Sequence, residues 1–230
     1  MPVPFVELSP SDQERISREV SRRATEAIND PSAFFSFTMI DDVTMRPVCA
    51  AAHQVVGFRF IQLYPRSVLR WFAGASKTMM LAAYMLWSIG RDRASRIAFV
   101  SNAEARAQKP VSMMRELIEK SPQVRRVFPW LRPASDPLAP WGNGEFTIER
   151  PPGIRDATCT AYGAEGGSVL GSRLSRIVID DVVTGQNAAT KAGRHKLHTT
   201  VEAQVMRGLD PRPIRLGLYF PLLGGWREWN

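Results

Sequence analysis

The sequence predicts an α/β domain built on a mostly parallel sheet, and three observations carry that prediction. From Ser67 onward, short apolar runs alternate with longer segments of helical period. The segment that opens at Lys77 is strongly apolar, as a helix packed inside a core must be. The run Ile177-Val178-Ile179 reads as a buried strand ending in two aspartates. Strands separated by helices require crossover connections, and crossovers give parallel pairing.

Each element follows from its own signals. The first 30 residues predict a polar helix with Ser11 as N-cap and Glu14 at the third position, and its body from Arg15 to Asn29 is charged on most faces. A second helix is expected from Met45 to Leu63, where Val48, Ala51, Ala52, Val55, Val56 and Phe60 recur at helical spacing until Tyr64-Pro65-Arg66 breaks it. Ser67–Phe72 reads as a short strand and Ala73–Ser76 as a small-residue turn. The apolar helix then runs to Ile89 with Gly90 as its C-cap. A strand over Arg96–Val100 leads through Ser101-Asn102 into a helix from Ala103 to Glu119. Prolines 129, 133, 137 and 140, with Gly142 and Gly144, make 128–144 a loop or insertion. Strands are expected at Glu145–Glu149, Ala157–Tyr162, Arg176–Ile179 and Ile214–Phe220, with a glycine-rich loop at 163–168 and a helix from Ala188 to Met206. No domain boundary is visible inside 45–220.

Composition narrows the function classes. The 230 residues are 44% hydrophobic and 23% charged, which excludes a disordered or collagen-like chain. The longest apolar run, Met79–Trp87, is far shorter than the ~20 residues a membrane span needs, so no membrane partner is expected. Two cysteines, Cys49 and Cys159, make neither a disulfide framework nor a four-cysteine zinc site. Thirty Lys and Arg against 22 Asp and Glu leave a charge of +8, which favours an anionic partner, nucleic acid first.

Two constellations carry chemistry. Phosphate binding needs inward backbone N–H groups, a helix N-terminus behind them and a Lys that reaches the terminal phosphates. A neighbouring hydroxyl then holds Mg²⁺. Gly74-Ala75-Ser76-Lys77-Thr78 supplies these parts in order after a strand, although Trp71 and Ser76 stand where the usual P-loop has its two glycines. The second constellation is Asp180-Asp181 at the tip of an apolar strand, where one carboxylate would serve the metal and the next would polarise water. Arg173 and Arg176 end a glycine-rich stretch and could stabilise charge developing on a transferred phosphoryl group. Arg106 and Lys109 follow a strand end and could touch a DNA backbone, while His53, His195 and His198 show no metal spacing.

With these motifs in hand, the chain resembles the ATPase domain of the large terminase subunit of tailed bacteriophages. The resemblance covers roughly residues 40–220. It is carried by Phe72–Thr78, Phe99–Ala107, Ser121–Pro129 and, most specifically, Gly171–Asp181. That family uses a deviant Walker A with a small residue before the Lys, as Ser76 is here, and accepts Asp-Asp in Walker B. The resemblance implies a P-loop NTPase fold of the ASCE, RecA-like kind and Mg²⁺-dependent hydrolysis of ATP. It implies a motor that drives double-stranded DNA into a procapsid. Such a motor works as a homo-oligomeric ring on the phage portal protein, with a small terminase subunit, in the cytoplasm of a bacterial host that carries the phage or prophage. By the same resemblance Lys77 would hold the β- and γ-phosphates, and Gly74, Ala75 and Ser76 would present backbone N–H groups. Thr78 and Asp180 would bind the metal, Asp181 would orient water, and Arg173 would be the arginine finger, in cis or from a neighbour.

Three features depart from the family pattern. Ala73 stands where an Arg is frequent, and Gly217-Leu218 stands where the coupling motif is usually Gly-Thr. The sequence also stops 13 residues past Gly217, where the family continues into an RNase H-like nuclease. The expected organisation is a helical arm over 1–40, an ATPase domain over 41–220 and a tail over 221–230, without nuclease activity. The alternatives are an inactive truncated remnant that binds DNA or a partner, and a helicase-like P-loop DNA translocase.

Overall fold

Helix termini and strand register place every element around one sheet. The computed structural model describes residues 9–41, 43–64, 66–72, 74–164 and 173–200, and the backbone of 215–218. Ala73, Gly171, Ser172, the end of the helix expected over 188–206 and the tail 221–230 lie outside the described residues.

The chain enters through α1 (Pro10–Asn29). Its N-cap is Ser9 rather than Ser11, because Pro10 is pre-organised for the first helical position and the Ser9 hydroxyl accepts the Asp12 N–H. Asp30 ends α1 and, through its carboxylate on the Ser32 N–H, caps α2 (Pro31–Thr38), a helix the sequence pattern did not announce. The next helix, α3 (Ala52–Leu63), starts seven residues later than its apolar spacing suggests. Met45 adopts φ 54° and Ile40 bridges Pro47, so 40–47 is a reversal and not a helical turn.

β1 (Arg66–Val68) leads into α4 (Lys77–Arg91). Every residue of α4 from Met80 to Gly90 is buried, which makes it the central helix of the core. Gly90 lies inside α4, not after it. A Cβ there would sit 2.3 Å from the Phe128 ring, so glycine is required for packing and Asp92 takes the C-cap. β2 (Ile97–Ser101) and α5 (Glu104–Lys120) match their expected ranges closely. α6 (Pro122–Val127), capped by the Ser121 hydroxyl, opens the proline-rich stretch. β3 (Glu145–Phe146), β4 (Cys159–Gly163) and β5 (Arg176–Ile179) follow. After β5 a short helix, α7 (Gly185–Ala188), precedes α8 (Lys191–Thr200), which falls within the helix expected over 188–206. β6 (Arg215–Leu218) completes the sheet.

The strand order is β1-β6-β5-β2-β4-β3. All pairs are parallel except β3 with β4. β6 separates β1 from β5, with Leu218 opposite both Val68 and Ile179. The carboxyl ends of β1 and β5 therefore open on the same edge, one strand apart. The larger apolar cluster covers one face and unites Met80, Tyr84 and Leu86 of α4 with Val111 and Met114 of α5 and with Phe34 and Phe35 of α2. On the opposite face a smaller cluster joins Ala98, Val100, Ile177 and Ile179 to Val182 and to Leu197 of α8. Among the described residues no helix is long and apolar enough to cross a membrane.

Candidate active site

At the edge where β1 and β5 end, two loops face each other. The first connects β1 to α4. Gly74 takes φ 81°, and Ser76 takes φ 52° and ψ 37°. Left-handed residues in such a turn direct backbone N–H groups into a concavity fit for anions, and the N-terminus of the 15-residue α4 stands behind it. Ser76 caps α4 without a side-chain hydrogen bond, which leaves the leading amides of the helix open. The Lys77 ammonium donates to the carbonyls of Phe72 (2.9 Å) and Trp71 (3.4 Å), so it curls over the loop.

The second loop follows β5. Asp180 is only 5% exposed and its N–H donates to the Val100 carbonyl, which fixes it at the strand tip. The Thr78 hydroxyl donates to Asp180 Oδ2 at 2.6 Å across 102 positions of sequence. Asp180 Oδ1 is buried and has no hydrogen-bond partner. Burial pushes the Asp180 carboxyl above its ordinary pKa. The Thr78 hydrogen bond opposes that shift, the neighbouring Asp181 charge adds to it, and the Lys77 charge opposes it. Lys77, Thr78, Asp180 and Asp181 thus sense one another at one point. Asp181 itself adopts φ 51°, a left-handed turn that carries the chain away immediately after the two carboxylates.

A buried carboxylate oxygen without a donor, beside a hydroxyl, is the donor set that Mg²⁺ takes: one or two protein oxygens, with the remaining positions left to water and phosphate. Among the described residues there is no cluster of three or more His, Cys, Asp and Glu that would make an all-protein cage. Thr78 and Asp180 fit the ion.

Arg173 is not brought to this point. It is exposed, lies before β5, and its N–H donates to Asp156 Oδ2. Arg173 precedes the amino end of β5, whereas Asp180 follows its carboxyl end, so the length of the strand separates them. Arg106 and Lys109 are exposed in the first turns of α5.

Two residues support the first loop in a way the sequence reading did not anticipate, although it had named His53. Gln54 of α3 is buried, accepts the Ala51 N–H, and donates to the Ala75 carbonyl at 3.4 Å. His53 meets Trp71 edge-on at 5.1 Å and Phe72 at 5.5 Å. The available signal was a polar pair in the first turn of a helix whose next four residues are apolar. The Trp71 ring in turn lies where a Cβ on Gly57 would be, 2.4 Å away.

The sheet order and the paired loops can be set beside known proteins. Over 153 residues the chain is 27% identical to the "Terminase, large subunit" of Enterobacteria phage T3. It is similar to large terminase subunits. That match takes in 66% of this chain and 25% of the relative, so the chain spans about a quarter of the length of the curated relative it matches. The crystal structure of the HK97 bacteriophage large terminase superposes with a TM-score of 0.53 at 14% identity, over 84% of this chain and 37% of that one. No protein-family model matches. The resemblance read from the motifs therefore stands, and so does the α/β fold class, a mostly parallel sheet flanked by helices as in that terminase.

Proposed function

We propose that this chain is the ATP-hydrolysing motor domain of a DNA-packaging large terminase. One observation carries the reading: Thr78 Oγ1 bonded to Asp180 Oδ2 at 2.6 Å, with the buried Oδ1 left open, at the mouth of a left-handed loop that starts a long helix. The similarity to large terminase subunits supports a DNA-packaging role. In this reading double-stranded DNA is the cargo, and the portal protein and small subunit are partners of a ring.

In this reading the amides of Gly74, Ala75 and Ser76 receive the β-phosphate of ATP, and Lys77 exchanges the Phe72 and Trp71 carbonyls for phosphate oxygens. Thr78 and Asp180 would hold Mg²⁺, which would supply charge neutralisation for the phosphates. Asp181 accepts a hydrogen bond from the attacking water and sets its line of approach. Arg173, before the amino end of β5, serves the site of the next subunit in the ring.

The test is steady-state Mg²⁺-ATPase activity with and without double-stranded DNA, beside Lys77→Ala. Turnover in the parent that falls at least 100-fold in the variant supports a P-loop engine. Equal turnover in both overturns it.

A further inference from the structure

The segment after the two carboxylates has a charge pattern that the nucleotide site does not use. Between Asp181 and Glu202 twenty residues pass without an acidic side chain, and they include Lys191, Arg194 and Lys196. Most of the span is α7 and α8. On α8, Lys191, His195, Lys196 and His198 are exposed, whereas Arg194 turns back onto the Ala188 carbonyl at 2.7 Å. Leu197 is the one buried residue of that helix. It lies in the cluster with Ile179 and Val182, the residues that flank Asp180 and Asp181. The helix thus holds the sheet with one side chain and turns a basic face outward, directly behind the catalytic strand.

We propose that this face of α8 binds the phosphodiester backbone of double-stranded DNA, an inference that rests on the motor reading above. A helix rises about 1.5 Å per residue, so Lys191 to His198 spans about 10 Å, roughly three base steps at ~3.4 Å per step. Lysines contact phosphates as compact point charges without base preference, and histidine ring nitrogens add donors between them. Such contacts suit a machine that must hold every sequence equally. Charge complementarity selects the occupant: an acid-free basic face fits a polyanion and repels another basic surface such as a second copy of itself.

The experiment is equilibrium binding of a fluorescent 30-base-pair duplex to the full chain across a salt series, for the parent, for Lys191→Gln/Lys196→Gln, and for Arg15→Gln/Arg18→Gln on α1, which removes the same charge elsewhere. Each phosphate contact contributes roughly 0.9 to the slope of log K against log salt. The α8 pair is expected to lose at least tenfold in affinity at low salt and nearly two units of slope. Its ATPase activity without DNA should be unchanged, and the α1 pair should bind as the parent does. An unchanged slope in the α8 pair, or an equal loss in the α1 pair, overturns the α8 assignment and leaves the motor reading standing. A parent that binds no duplex at all overturns both.

Discussion

At the scale of single residues, Asp180 concentrates the conflict between stability and chemistry. Its carboxyl is buried with one oxygen unpartnered, and burial raises its pKa above the ordinary value. The fold therefore favours the protonated form. That contribution is fully present below the ordinary aspartate pKa and is lost as pH rises through the raised one. In metal-free buffer at neutral pH the charged form is a burden, which Asp180→Asn removes while keeping an acceptor for the Thr78 hydroxyl. Asp180→Asn is expected to raise Tm by roughly 2–4 °C, the shift that about 1 kcal/mol gives in a chain of this size, and to abolish ATP turnover. Calorimetry of both proteins in chelator, with a pH series from 4 to 7, measures it. A lower Tm at pH 7 would show that the carboxylate has a compensating partner. That Lys77, Thr78, Asp180 and Asp181 would meet was legible in the sequence, because each pair directly adjoins the end of an apolar element. Gln54 was not legible, since its role depends on a carbonyl 21 positions away.

At the scale of elements, helices and strands were legible wherever apolar periodicity alone decided them, and misplaced wherever a cap or a contact decided them. α4, β2, α5 and β5 fall within a residue or two of their expected ranges. The start of α1 moved because a proline at the first position outweighs the Ser11/Glu14 pattern. α2 and α6 are short, and each is opened by a proline behind a capping Asp30 or Ser121. In a sequence such prolines read as breakers. Gly90 shows the same limit from the other side. It looks like a helix stop, yet it is the point where α4 meets Phe128. Gly90→Ala places a Cβ 2.3 Å from a buried ring, and neither the helix nor Phe128 can retreat without disturbing the core. A loss of about 1–3 kcal/mol is expected, read as a lower urea midpoint at unchanged m-value. Since Gly90 is at the far end of α4 from Lys77, nucleotide affinity should hold. A gain in stability from helix propensity alone would refute this packing.

At the scale of the whole molecule, the amino-terminal helices and the sheet share one core. Phe34 and Phe35 are fully buried in the cluster that contains Tyr84 and Phe99, and the Trp87 indole N–H donates to the carbonyls of Ala27 and Ile28, each at 3.1 Å. Removing residues 1–40 would strip Phe58, Tyr84 and Trp87 of their cover. The shortened chain is expected to bind an apolar dye and to aggregate. Light scattering beside the full chain tests this, and a monodisperse, cooperatively unfolding product would show that the helices are dispensable. The strand order also says something about time. Ribosomes deliver the 74–78 loop and Asp180-Asp181 early, but β1 and β5 have no direct pairing with each other. They are held in register by β6, whose residues 215–218 are synthesised more than thirty positions after Asp181. At roughly 5–20 residues per second, a nascent chain passes some seconds with both facing loops made and nothing to join them. During that interval the two loops share no common frame, so under the motor proposal hydrolysis would wait until the fold is finished.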